Sequence, residues 1–90
     1  MPGWYIERFR WTPGVEEKVL LKHQLLRDEV EEAFFHPELR QLKARGRRLL
    51  LSRSDAGRYI LVVYEFEKGV VTIISARDMT ESERRRFRRK

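Results

Sequence analysis

The chain has no cysteine, no asparagine and only three prolines, and no apolar run approaches the ~18 residues needed to cross a bilayer. Without cysteine, neither a disulfide frame nor a thiolate metal site can form. Its two histidines, His23 and His36, and its scattered carboxylates lack ligand spacing, so no metal and no other cofactor is expected. There is no Gly-rich phosphate loop and no Ser or Cys nucleophile elbow. The first residues carry no apolar core of a signal peptide, which sets the expectation of a cytoplasmic protein without membrane contact. The lack of Asn, with only two Gln and many Arg and Glu, is a bias reported for heat-adapted proteins; a GC-rich genome gives the same Arg excess.

What is present is charge, unevenly placed. Ninety residues are expected to form one domain, 1–90, with a core just large enough to stand unaided. The net charge is +6. Residues 40–58 hold seven basic groups against Asp55 alone, and residues 84–90 add six basic groups with no acid. The segments 1–39 and 59–83 are each slightly acidic. Two cationic blocks on such a body suit a polyanion or an acidic protein partner; a solvated surface with a frayed basic tail is the plainer reading.

Periodicity gives the elements. A strand over 4–11 would put Tyr5, Phe9 and Trp11 on one face. Pro13 and Gly14 break it, and Val15, Val19, Leu20 and Leu26 then follow a helical period over 15–26. Asp28, with Glu31 three residues on, suggests the N-cap of a second helix that ends at Pro37. Residues 38–46 form a basic connection with room for a short strand. Turns at 54–57 and 67–69 then divide 47–77 into a three-stranded antiparallel meander. Thr80 and Glu83 form a capping box that opens a cationic terminal helix. The expected class is α+β: an antiparallel sheet of four to five strands with two N-terminal helices packed on it and a basic C-terminal helix.

Several pieces recur in one order and spacing over about eighty residues: Phe9 and Trp11, Lys22-His23, Pro37, Arg47, Gly57-Arg58, Ile73-Ile74-Ser75-Ala76-Arg77, Glu83-Arg84 and Phe87. In this the chain resembles the BrnT family, ribonuclease toxins of bacterial type II toxin–antitoxin pairs. The resemblance implies a RelE-like fold and a metal-independent endoribonuclease that cleaves mRNA and inhibits translation. It also implies a BrnA-like antitoxin, DNA contact only through the antitoxin complex, and a homodimer within a heterotetramer as one assembly. The chain departs from the family pattern at Thr12, Val19 and Gln24, at Arg45 where a Glu is usual, and at Phe87 where a Tyr is common. A catalytically weakened RNA- or partner-binding module of the same fold is therefore the alternative, and an interaction protein whose basic helix docks on an acidic partner is a third.

Metal-free RNA cleavage proceeds by attack of a 2′-hydroxyl on its own phosphate, and the developing charge suits the planar fork of Arg. Arg47, Arg58 and Arg77 fall at the ends of neighbouring expected strands and are expected to converge on one rim of the sheet, with His23 and Glu83 as proton-transfer candidates. Lys22, Arg45, Arg48, Arg53 and Arg84 are expected to contact the RNA backbone without reading sequence. Each has a structural alternative. His23 sits on an apolar stripe, Glu83 caps a helix, Arg77 can pair with Asp78 or Glu81 to fix a turn, and His36 beside Pro37 reads as a surface or capping residue.

Overall fold

Turns of the form Xaa-Gly set the register of the sheet. In the computed structural model, which describes residues 5–89, the chain runs β1 (Arg8–Trp11), α1 (Val15–His23), α2 (Arg27–Ala33), β2 (Arg40–Ala44), β3 (Arg47–Arg53), β4 (Tyr59–Glu67), β5 (Val70–Asp78) and α3 (Glu81–Arg88). Strands β2 and β3 pair from Ala44 opposite Arg47, which leaves a two-residue loop, Arg45-Gly46, with φ of 53° and 79°. Lys68-Gly69 closes β4 onto β5 in the same way, with φ of 49° and 82°. Positive φ at both central residues is what a type I′ hairpin requires, and Gly at the second position accepts it without strain. The expected meander is therefore present, and the connection at 38–46 contributes the strand β2.

The sheet has five strands in the order β1-β5-β4-β3-β2, and it is not purely antiparallel: β1 pairs with β5 in parallel, Phe9 beside Val71 and Trp11 beside Ile73. This polarity lets the chain leave β1 and lay α1 along β5, the strand that α1 packs against. The expected strand also began too early. Tyr5 is 73% exposed and lies before β1, and Trp4 lies outside the described residues.

Helices α1 and α2 cover one face of the sheet. There Val19, Leu25, Val30, Ala33 and Phe34 bury against Leu50, Ile60, Val62, Tyr64, Val71, Ile73 and Ala76, with Phe9 and Trp11 packed at the side. Both helices are shorter than the period suggested. Gln24, at φ 55°, turns the chain out of α1. Helix α2 starts one residue before Asp28, with Leu26 as N-cap and its N–H donated to the Glu29 carboxylate at 3.2 Å. Glu31, expected in a capping box, instead accepts from Trp11 Nε1 at 2.8 Å and Arg27 Nε at 2.9 Å. The buried Ser52 hydroxyl donates to the carbonyl of Ala33 at 2.7 Å, adding a short bond from the sheet side to the long one, 3.5 Å, that this helix-end carbonyl accepts from the His36 N–H. His36 is the capping group its place beside Pro37 suggested: Nδ1 accepts the N–H of Glu38 at 3.1 Å.

Helix α3 lies on the opposite, outer face. Phe87, Met79, Leu51 and Leu61 form a second, smaller core there, with Leu42, Tyr59 and Val63 at its border. Phe87, where a Tyr is common in the resembling family, is a core side chain at 6% exposure. No helix among the described residues is long and apolar enough to cross a membrane.

Candidate functional site

One irregularity in the sheet decides where Arg77 points. Val63 pairs with Ser75 but Tyr64 pairs with Ile73, so Ile74 is an extra residue in β5. Such a bulge shifts the alternation of side chains by one. Before it, Val71 and Ile73 face the α1–α2 core; after it, Ala76 does. Arg77, opposite Leu61, is thereby placed on the outer face beside α3, whereas unbroken alternation from Val71 and Ile73 would drive it into the core.

On that face Arg77 meets Glu83 fork to fork. Nη1 donates to Oε1 at 2.8 Å and Nη2 to Oε2 at 2.9 Å, and Nη1 also donates to the Asp78 carbonyl at 3.0 Å. The same carboxylate accepts the Thr80 N–H at 2.8 Å, while Thr80 Oγ1 accepts the Glu83 N–H at 3.2 Å. The expected capping box and the pairing of Arg77 are thus one structure, with Glu83 rather than Asp78 or Glu81 as the carboxylate partner. Hydrogen bonding from Arg77 in the first place, and from the Thr80 N–H after it, holds the Glu83 carboxyl below its ordinary value of 4.5, against an opposing effect of burial. The same hydrogen bond raises Arg77.

A carboxyl depressed by folding stabilises the fold fully above its ordinary pKa, and that contribution is lost as the pH falls through the depressed value. Glu83→Gln is therefore expected to lower the urea midpoint at neutral pH and to have a smaller effect at acid pH, as the carboxylate is protonated on falling through its depressed value. Equal destabilisation at both pH values would show that the charge of Glu83 is not what the fold uses.

Arg58 stands before β4 and reaches the other way, to the helix layer. Nη1 donates to the carbonyl of Gln24 at 2.7 Å, and Nη2 donates to the carbonyl of His23 at 3.0 Å and to both oxygens of Asp78 at 2.9 and 3.1 Å. Glu29 lies 3.5 Å from Nη1. A cation at the C-terminal carbonyls of α1 is electrostatically favoured, so Arg58 pins that helix end to the end of the sheet. His23 is half-buried, and its carbonyl is the group that meets Arg58.

Arg47 does not join them. In an antiparallel pair the first residues of the two strands lie at opposite ends, so Arg47, opening β3, is six residues from Arg53, which pairs with Tyr59 next to Arg58. That separation is ~20 Å along the strand. Convergence of three arginines is corrected to two, Arg58 and Arg77, which flank the sheet end from its two faces. Arg45 at the β2–β3 hairpin tip, and Arg48, whose guanidinium lies 5.9 Å from the Phe66 ring centre, are also at the far end. Arg48 lies near Tyr64, whose phenol burial pushes up to about 12 against the opposing influence of that arginine. Lys22, exposed on the last turn of α1, stays at the Arg58 end, as do His23, Arg53, Glu83 and Arg84.

A cleft of about 250 Å³ opens here, lined by Gly57, Arg58, Tyr59, Asp78, Met79 and Arg84. Tyr59 in its lining belongs to no motif noted in the sequence. Arg53, Arg84 and Arg88 lie 5.0, 4.5 and 6.0 Å from the centre of the Tyr59 ring. The pairing of Arg53 with Tyr59 across the five-residue connection 54–58 was the available signal.

Comparison with protein families matches residues 11–83 to the ribonuclease toxin BrnT of type II toxin–antitoxin systems. The chain belongs to the BrnT family. The matched segment contains Arg58, Arg77 and Glu83 and stops before Arg84 and Arg88. Among solved structures, the crystal structure of the Brucella abortus ribonuclease toxin BrnT superposes with a TM-score of 0.67. It is 14% identical, and the match covers 82% of this chain and 97% of that one. At that identity the likeness concerns the fold, the sheet and helices described above. Comparison with functionally curated proteins gives no match. Of the pieces noted in the sequence, Gly57-Arg58, Ile73 to Arg77 and Glu83-Arg84 lie at the Arg58 turn, the bulge and the start of α3, which together build one end of the sheet, while Arg47 lies at the other.

Proposed function

We propose that this chain is the toxin of a type II toxin–antitoxin pair, cleaves RNA without a metal and so inhibits translation, and is silenced by a BrnA-like antitoxin through which alone it meets DNA. The supporting observation is the placement of Arg58, Arg77 and Glu83 at one sheet end, within the segment that carries the BrnT match. Each guanidinium has five N–H donors in a planar fork, so a carboxylate partner fixes its orientation without using every donor. In this reading the scissile phosphodiester lies across the sheet end, Arg77 and Arg58 hold its non-bridging oxygens, and the charge that grows in the phosphorane strengthens those bonds. Glu83, kept ionised by Arg77, and His23, one peptide unit from the carbonyl that meets Arg58, are the candidates for moving the 2′-hydroxyl proton. Arg47 has no part in that step.

The binding-module reading has its own support. Arg58 already meets the Gln24 and His23 carbonyls and Asp78, and Arg77 is engaged fork to fork. Expression without an antitoxin separates the two. Growth arrest is expected from the wild-type chain and from Arg47→Ala, but not from Arg58→Ala or Arg77→Ala at equal protein levels. A wild-type chain that binds RNA, cuts nothing and leaves growth unchanged would select the module.

A further inference from the structure

Beside the Arg58 cleft, and sharing Tyr59 with it, a second groove of about 540 Å³ runs under the end of α3, lined by Glu38, Leu39, Arg40, Arg53, Tyr59, Phe87 and Arg88. Arg53, Arg84 and Arg88 all surround one phenol ring, which is itself packed edge-on against Phe87 with centres 5.9 Å apart. Carboxylates nearby are Glu38 in the groove wall, Glu81, 3.9 Å from Arg88, and Asp78, which lines the adjoining cleft and is paired with Arg58. Nε of Arg53 and Nε of Arg84 are buried with no hydrogen-bond acceptor among the described residues. A buried donor left unmet normally has a missing partner, and like charges this close repel unless an anion lies between them. The ring provides the reason they can gather: a guanidinium over an aromatic face is attracted by its quadrupole while its outward N–H groups stay free.

We propose that Arg53, Arg84 and Arg88, arranged on Tyr59, together with Arg40 in the groove lining, form a subsite for an RNA phosphodiester adjoining the one held at Arg58 and Arg77. The inference rests on the ribonuclease reading for the identity of the anion, and on the groove itself for the position. The two clefts meet at Tyr59, and Arg84 reaches both the ring and the Arg58 side. A strand entering past Arg58 therefore continues onto Arg53 and Arg88 without leaving positive surface. The contacts go to phosphates and carry no base preference.

The test is binding of a short single-stranded RNA with 2′-O-methyl riboses, which cannot be cut, over a range of salt concentrations. Each phosphate neutralised contributes about 0.7 to the slope of log affinity on log salt for single strands. Arg53→Gln/Arg84→Gln is expected to flatten that slope by about one phosphate or more and to weaken binding at least ~10-fold at low salt. Arg8→Gln/Arg10→Gln, an equal charge change that lines a different groove on the same face, is expected to change the slope by less than half as much. Because the first pair carries buried atoms, Arg40→Gln/Arg88→Gln serves as a second variant, with the same direction expected. Equal losses in all three, or no loss in both groove variants, would overturn the subsite. Loss of binding to an acidic peptide with RNA affinity intact would overturn it in favour of a protein partner. Since the RNA is uncleavable, a wild-type chain that binds it through this groove yet fails to cut ordinary RNA retains the subsite and loses the ribonuclease reading.

Discussion

Arg77→Ala is expected to lower the rate of RNA cleavage by ~100-fold or more, the cost typical of removing one aimed donor from a developing oxyanion. Arg77→Lys is expected to recover only a small part, because an ammonium keeps the charge and loses the two-pronged geometry. The fold is expected to survive both. The Arg77 side chain is 39% exposed, which places its pair with Glu83 close to surface pairs worth about 1 kcal/mol or less. The capping bonds between Thr80 and Glu83 remain without it. Single-turnover cleavage of a labelled RNA, with circular dichroism to confirm folding, reads both effects. Cleavage within about threefold of wild type in the Ala variant would reduce Arg77 to the pin of a turn, a size of effect far below that of a lost oxyanion donor.

The largest expected effect on stability belongs to Phe34→Ala. Phe34 has no exposed surface, and its ring meets Phe9 and Tyr64 edge to face at 5.2 and 5.0 Å, joining α2, β1 and β4. Truncating a buried Phe to Ala costs about 3–5 kcal/mol, against a total of about 5–15 kcal/mol for a small domain. At roughly 4–8 °C per kcal/mol for a chain of this size, the melting midpoint should fall by at least about 12 °C. Its neighbour is the control. Phe35 is 63% exposed, and among the described residues its ring meets that of Phe9, with centres 6.1 Å apart, so Phe35→Ala should cost about 1 kcal/mol or less. Similar midpoints for the two variants would mean that the aromatic cluster is not the centre of the core.

Much of this architecture is legible in the residues. The alternation and Xaa-Gly turns give β3 to β5, and Thr80 with Glu83 announces α3. Three features escape such reading. The parallel pairing of β1 depends on where α1 packs, a tertiary choice that four residues of strand do not encode. The bulge at Ile74 hides in a continuous β-branched run, where an inserted residue changes nothing in composition but sends Arg77 to the opposite face. The ends of α1 and α2 shift because Gln24 adopts a left-handed turn and Leu26 caps through the Glu29 carboxylate, neither of which periodicity registers.

The site is less legible than the fold, and partly for a reason that sequence did contain. Arg47 opens β3 and Arg58 immediately precedes β4, and the starts of antiparallel neighbours lie at opposite ends, so the two could be separated before any coordinates. Arg58, just before β4, and Arg77, next to the last residue of β5, belong together by the same rule. The gathering of arginines on Tyr59 takes side chains from β3 and α3, elements whose contact no local pattern reports.

The account turns on a 2′-hydroxyl attacking a phosphodiester held by guanidinium groups at one end of the sheet. The most direct measurement is the structure of the ends left when the wild-type chain cuts RNA in excess EDTA, with a matched RNA carrying one 2′-deoxy nucleotide at the cut position. The account predicts a 2′,3′-cyclic or 3′-phosphate and a 5′-hydroxyl, and an uncut bond where the 2′-hydroxyl is missing. Cleavage that needs a divalent ion, leaves a 5′-phosphate or proceeds at the deoxy position would contradict it.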